Sequence, residues 1–452
     1  MRFFPDSRLI VFSAALLLLA GCGGGASSGG LGSTLPKQTN GATNSVRFSI
    51  TVPPKTASAS SGPALATIVQ PTASHPNLIS FVRASPAVLG TETFAVAASY
   101  PAGESNACTQ TGAVCSLASA VTANVSVPIA MIANAGSNTV LGYTLPLTSA
   151  TQSPSFSIAL GGAFLLAEDA SGNVFAANYN SPESVVEIPP PYAVATVTNS
   201  LGGDESEQMA VAPNGDLALA NIPGTVGGSL YTPPYTAAPT PLSNGLSTPY
   251  GVAFDASNNL YFANRGASTL TMLAPPYTGS PTTVNTSSVP FGLTVSGTTL
   301  FVGESTAVDV FSLPLTASST PIATLSSGIS YVHRSAVDAS GNLWVANESG
   351  GASNEGSVEE FTKPFTTGET PTVTISMPAG GGSISHVPWG IAFDAAGNLY
   401  VTNVNGGAGQ GGLLEFSPPI TSASTPTVAI ESSNLSFVAD LVITPPPLLV
   451  TP

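Results

Sequence analysis

The sequence predicts an all-β protein whose main body is a seven-bladed β-propeller closed by its C-terminal strand, preceded by a small β-sandwich-like module. Three observations predict it. A stretch typified by PYGVAFDASNNLYFAN (residues 249–264) returns about every 43 residues. The intervals hold strand and turn signals only. The chain's last repeat-like segment looks like a first strand with no blade of its own.

Related copies are LLAEDASGNVFAAN (165–178), MAVAPNGDLALAN (209–221), SAVDASGNLWVAN (335–347) and PWGIAFDAAGNLYVTN (388–403). Each reads as a β-hairpin: a β-branched and aromatic run ending in Asp, a Ser/Gly/Asn turn, and a second alternating run ending in Asn. Aligned on the residue that closes the second strand, the anchors are Asn134, Asn178, Asn221, Asn264, Glu304, Asn347 and Asn403. Their spacings are 44, 43, 43, 40, 43 and 56 residues. A period of this size implies one four-stranded blade per repeat.

The outer half of each unit repeats as well, in segments such as APPYTGSPTTVNT, SLPLTASSTPIATL and SPPITSASTPTVAI. Proline cannot donate to a ladder, so these residues belong to the connection between the outer two strands. The first unit (127–134) lacks a first strand of its own, whereas SFVADLVITP follows the seventh unit's fourth strand. Residues 437–444 are therefore predicted to complete the first blade.

Only 7% of the 452 residues are charged, with 46 Gly and 40 Pro, which suits short strands joined by tight turns. A net charge of −15 opposes nucleic-acid binding, which needs clustered Lys and Arg. At the N-terminus Arg2 and Arg8 precede an apolar run, Leu9 to Leu19, that is too short to span a membrane as a mature helix and reads as an export signal. The run ends in Leu19, Ala20, Gly21 and Cys22, which resembles the bacterial lipoprotein signal. That likeness implies lipidation at Cys22, stable anchoring by two or three acyl chains, and an outer-membrane or cell-surface location in the envelope. Residues 1–22 are then signal and lipidated Cys, and residues 23–44 a Gly/Ser-rich tether reaching on the order of 25 Å. The small β module spans 45–128, with strands expected at 47–52, 66–69, 79–83, 93–100 and 121–127. The propeller spans 129–444 and a Pro-rich tail 445–452. Cys108 and Cys115 are expected to form a local disulfide, because two thiols without a neighbouring His fall short of a zinc ligand set.

The G-[VI]-A-[FV]-D-x-x-G-N-L-Y-V-x-N pattern resembles NHL and SMP-30/gluconolactonase-like propellers, and also the repeats of virginiamycin B lyase. The resemblance covers about residues 129–444 and is specific for architecture; it says little of activity, since such propellers include scaffolds, ligand binders, lactonases and lyases. Enzymatic members hold a divalent metal at the axial mouth, and no full metal constellation carries over to this sequence.

Function is expected at one mouth of the propeller. The position before each first strand holds Phe164, Glu207, Tyr250, Phe291, His333, Trp389 and Ala439, beside the circle of anchors. Read functionally, rings offer apolar platforms and amides offer donors and acceptors, a pairing suited to glycans or peptides. Read structurally, the rings wedge between blades and each Asn caps nearby backbone. Departures from the repeat carry more information: Glu304 is the one acidic anchor, Arg334 follows His333, and the long segments 348–357, 377–388 (with His386) and 404–412 crowd the last units. The candidate ligand-binding residues are Tyr250, Phe291, Glu304, His333, Arg334, Asn347, Trp389 and Asn403. No catalytic residue and no cofactor is assigned, although Glu304, Asn347, His333 or His386 could ligate a divalent ion. Asp255, Asp338 and Asp394 are turn residues on the opposite face. The G-x-G-x-x-G at 407–412 lies between strands with no helix to receive a phosphate.

The primary expectation is a lipid-anchored propeller that binds an extracellular glycan or protein ligand without chemistry. The alternatives are a metal-dependent lactonase or lyase, and a purely structural envelope protein. The expected partners are the membrane, through the anchor, and that ligand, with no nucleic acid.

Overall fold

The computed structural model divides into two compact units, residues 1–127 and 128–452. In the first it describes residues 8–12, 47–51, 66–69, 79–83, 90–99, 109–111 and 114–125. In the second it describes 128–444 apart from 171, 179–183, 190–191, 193–195, 201–204, 223–226, 350–355, 378–385, 406–410 and 433. Cys22, expected to be lipidated, the expected tether at 23–44, His75, Cys108 and residues 445–452 lie outside the described residues.

The first unit contains two antiparallel sheets. One has the order Arg8–Phe12, Ile79–Arg83, Ala66–Val69, so part of the run read as an export signal is paired in the full-length chain. The other has the order Arg47–Thr51, Gly90–Ser99, Val114–Val125, Thr109–Thr111. The last strand begins earlier than expected because Val114–Ser116 also serves the short hairpin partner, with Gln110 opposite Cys115.

The second unit is a seven-bladed propeller of four-stranded antiparallel sheets. Blade 1 is completed by the C-terminal strand: Val438–Thr444 pairs with Ile129–Asn134, followed outward by Thr139–Thr144 and Phe156–Ala159. Blades 2 to 7 each run outward from their first strand, namely Ala163–Glu168, Glu205–Val211, Pro249–Phe254, Pro290–Ser296, Val332–Val337 and His386–Phe393. Joining the two ends of the chain in one sheet removes the open edge a linear array of blades would leave.

The strands are apolar on both faces because each blade is packed between two others. Second strands such as Leu260–Asn264 and Leu343–Asn347 are buried throughout. The core is correspondingly distributed: Tyr261 and Leu270 of blade 4 meet Leu300 and Phe311 of blade 5, and Trp344 of blade 6 meets Leu399 and Phe416 of blade 7.

The hairpin Asp residues act as local ties. Asp255 accepts the backbone N–H of Ser257 (2.8 Å) and Asn259 (2.9 Å), the Asn259 side chain (2.7 Å) and the Tyr261 hydroxyl (2.8 Å). Asp338 and Asp394 repeat the set, with Trp344 Nε1 and the Tyr400 hydroxyl in the place of Tyr261. Behind them, the proline connectors follow the third strands as expected. In three blades a connector tyrosine locks onto its own hairpin, as with Tyr235 donating to Gly215 O at 2.6 Å.

Candidate functional site

Every first strand carries a β-bulge near its start. Register shifts fall between Ala163 and Leu165, Ser206 and Gln208, Pro249 and Gly251, Pro290 and Leu293, Val332 and Arg334, Pro388 and Ile391, and Val438 and Leu441. The extra residue has no cross-strand partner, so its side chain is re-aimed out of the alternation. The residues at these bulges are Phe164, Glu207, Tyr250, Phe291, His333, Trp389 and Ala439.

These side chains converge. His333 stacks on Trp389 with ring centroids 4.1 Å apart, and Phe291 lies 5.1 Å from both His333 and Tyr250. Phe164 meets Trp389 at 6.1 Å and Phe437 at 5.9 Å. Arg265 sits over the rings of Tyr250 (5.6 Å) and Phe291 (5.3 Å). Phe164, Tyr250, Trp389 and Phe437, together with Glu207, line a cavity of about 420 Å³. The backbone near Ala135, Gly136 and Gly162 completes the wall. The volume lies within the range of small-molecule sites.

Two rings at this mouth are held in an unusual way. Tyr331 and Phe437, each just before a first strand, have φ of 59° and 54°, a left-handed conformation that bulky residues rarely adopt. Backbone bonds fix them: Tyr331 N–H donates to Ser305 O (3.0 Å), and Phe437 O accepts from Ala135 N–H (3.1 Å). Both rings remain substantially exposed, at 45% and 38%. The same left-handed conformation recurs at the connector residues Tyr192, Tyr235 and Tyr277, so it fixes these rings without by itself marking a site.

One residue further along the inner strands lies a polar layer. Arg334 meets Asp440 through Nε (3.2 Å) and Nη2 (3.3 Å), and also donates to Glu207 O (2.9 Å) and His333 O (3.1 Å). Asp440 Oδ2 further accepts from Leu166 N–H at 3.2 Å. Gln208 bridges blades 3, 4 and 5 by accepting from Val252 and Leu293 N–H and donating to Leu293 O. In the same layer the motif glycines allow close approach: a Cβ on Gly251 would lie 2.2 Å from Phe291 O, and one on Gly292 1.9 Å from His333 O. This layer crosses the axis and gives the cavity a floor.

The circle of anchors plays another part. Asn264 accepts from Ser247 N–H (3.1 Å) and donates to Thr271 (2.8 Å); Asn347 accepts from Ser330 N–H (2.6 Å) and donates to Gly328 O (2.8 Å) and Glu359 (3.2 Å). Asn134 likewise accepts from Ser436 N–H (2.9 Å). Each ties the loop that enters its own blade. Glu304 does the same through Oε2, which accepts Ser288 N–H (2.7 Å) and its hydroxyl (2.8 Å). Burial first, and then the neighbouring Asp309, push the Glu304 carboxyl up to about 9. Its other oxygen, Oε1, is buried without a hydrogen-bond partner among the described residues. Glu304 thus takes the accepting half of the role that the asparagines play.

Of the residues expected to bind ligand, Tyr250 and Trp389 line the cavity, and Phe291 and His333 pack behind them. Arg334 is buried in the polar layer, while Glu304, Asn347 and Asn403 are buried in the anchor circle and absent from the cavity wall. The Asn403 side chain makes no hydrogen bond among the described residues. His333 hydrogen-bonds the Tyr250 hydroxyl at Nδ1 (3.2 Å) and Glu348 at Nε2 (2.9 Å). Burial pushes its pKa below the ordinary value against the pull of Glu348. Sequence reasoning did not select Phe437, Tyr331, Arg265 or Glu348. The first two lie between anchors, and only the Phe or Tyr immediately before a first strand could have marked them.

Among the described residues, Glu207 is the one carboxyl group of the cavity wall, and no three His, Cys, Asp or Glu side chains are arranged to hold an ion.

No family model matches the chain, and no curated protein matches it in sequence. Solved structures resemble it in fold. A protein from Lactobacillus plantarum overlays with a TM-score of 0.53 at 14% identity, over 70% of this chain and 99% of its own. A functionally unknown protein from Desulfotomaculum acetoxidans gives 0.52 at 12%, over 70% and 98%. Virginiamycin B lyase from Staphylococcus aureus gives 0.43 at 15%, over 58% and 86%, a likeness that carries no argument about activity.

Proposed function

We propose that this chain is an exported, lipid-anchored propeller that binds an extracellular glycan or peptide at the axial mouth without catalysing a reaction. The observation that carries the reading is the cavity of about 420 Å³ walled by four aromatic rings, one of them the exposed Phe437 held in left-handed backbone. Aromatic faces supply contact area at low entropic cost, and the polar layer beneath holds the wall in place from six blades. The export and anchoring parts rest on the signal-like N-terminus and Cys22.

A glycan and peptide array probed with the soluble chain from residue 23 onward tests the binding reading. Selective binding that disappears on Trp389→Ala with Tyr250→Ala is the expected result; binding untouched by that pair would move the site elsewhere. Radiolabelled fatty acid incorporated by the wild type and lost in Cys22→Ser tests the anchor.

A further inference from the structure

The composition of the cavity says more about its ligand than its size does. We infer that the axial cavity takes an organic cation, an alkylated ammonium group carried by the ligand, on its aromatic wall beside Glu207. This deepens the proposed binding function and rests on it.

Phe164, Tyr250, Trp389 and Phe437 line one space, and Glu207 is the carboxyl-bearing side chain among its described lining residues. Ring faces carry negative quadrupole potential and attract a desolvated cation, most strongly an alkylated one that loses little hydration on entry. Of the two ligand classes proposed, a peptide or sugar that carries such a group fits this wall better than an unsubstituted polyol, which would need several convergent hydrogen-bonding groups where the described lining offers chiefly rings and one carboxyl group. The mouth already holds a cation in this way: the Arg265 guanidinium lies over Tyr250 and Phe291. Around the mouth three carboxyl groups, Glu207, Asp440 and Glu348, stand against two guanidinium groups, and Arg334 and Asp440 pair with each other in the polar layer. A net charge of −15 adds long-range attraction.

The experiment follows Trp389 fluorescence in a Trp344→Phe background of the soluble chain, where Trp389 is the sole tryptophan. Choline is titrated against 3,3-dimethylbutan-1-ol, its uncharged isostere. Saturable change with choline is expected, with the alcohol weaker by about tenfold or more. Glu207→Gln should weaken choline and narrow the gap while leaving the alcohol unchanged. Equal affinities, or a choline affinity indifferent to Glu207→Gln, would overturn the cation assignment and leave an axial site of another chemistry. If choline gives no saturable change but an array-selected neutral glycan does, the cation assignment falls and the binding function stands. If neither perturbs Trp389, both fall.

Discussion

Glu304 shows how a residue's apparent role depends on its protonation. As the one acidic anchor it looks like a ligand or catalytic group, yet it is fully buried and bonded to Ser288 as the asparagines are to their own loop serines. Its folded pKa, about 9, stands above the unfolded value, so the folded state keeps a proton the unfolded state loses. Its stabilisation is complete below the unfolded pKa and declines as pH rises through about 9. Glu168, also pushed up to about 9 by burial, acts in the same direction. His333, depressed by burial, acts oppositely and only as pH falls into its ordinary range and below. Between pH 7 and 9, where His333 is neutral, the melting temperature should therefore fall. Glu304→Gln, which keeps an acceptor for Ser288 and does not titrate, should flatten that fall and leave the variant more stable than wild type at the upper end. A steeper fall in the variant would contradict the protonated assignment. The sequence displayed the substitution at position 304 but not its burial beside Asp309, which sets the proton.

Within a blade, the hairpin and the bulge divide the repeat into fold and site. The hairpin half was legible in the sequence because its chemistry is local: Asp255, Asn259 and Tyr261 lie within six residues and bond one another. Asp255→Ala removes four hydrogen bonds and should cost about 2–4 kcal/mol by denaturant unfolding, with ligand affinity unchanged. A matching loss of affinity would mean that the two halves are not separable. The bulge half was legible only as a position. Which rings face the mouth could be listed, but which remain open depends on packing between blades that are far apart in sequence. His333 stacks on Trp389 56 residues away, and Phe437 reaches Phe164 across the closure. Gly251 was visible as part of the motif, and its reason is the Phe291 carbonyl of the next blade. Gly251→Ala should destabilise by about 3 kcal/mol, the upper range for overpacking. A change within about 0.5 kcal/mol would show that the inner strands can part.

At the scale of the whole molecule, closure and site depend on the same strand. Val438–Thr444 completes blade 1, supplies Asp440 to the polar layer and positions Phe437 on the cavity. Removal of residues 437–452 should abolish the cooperative unfolding transition and axial binding together; a folded, binding-competent truncate would refute ring closure as the source of the site. Ring closure was legible from one unmatched strand signal at each end. The two exposed rings were not, because a left-handed φ at Tyr331 and Phe437 has no signature in residue type. The central claim is that ligand enters the aromatic cavity rather than the anchor circle or the hairpin face. Hydrogen exchange of the soluble chain with and without an array-selected ligand tests it most directly. Slowed exchange is expected at amides near Gly162, Glu207, Tyr250, Trp389 and Phe437, with the turns at Asp255, Asp338 and Asp394 unchanged. Protection confined to those turns, or to the loops held by Asn264, Glu304 and Asn347, would contradict it.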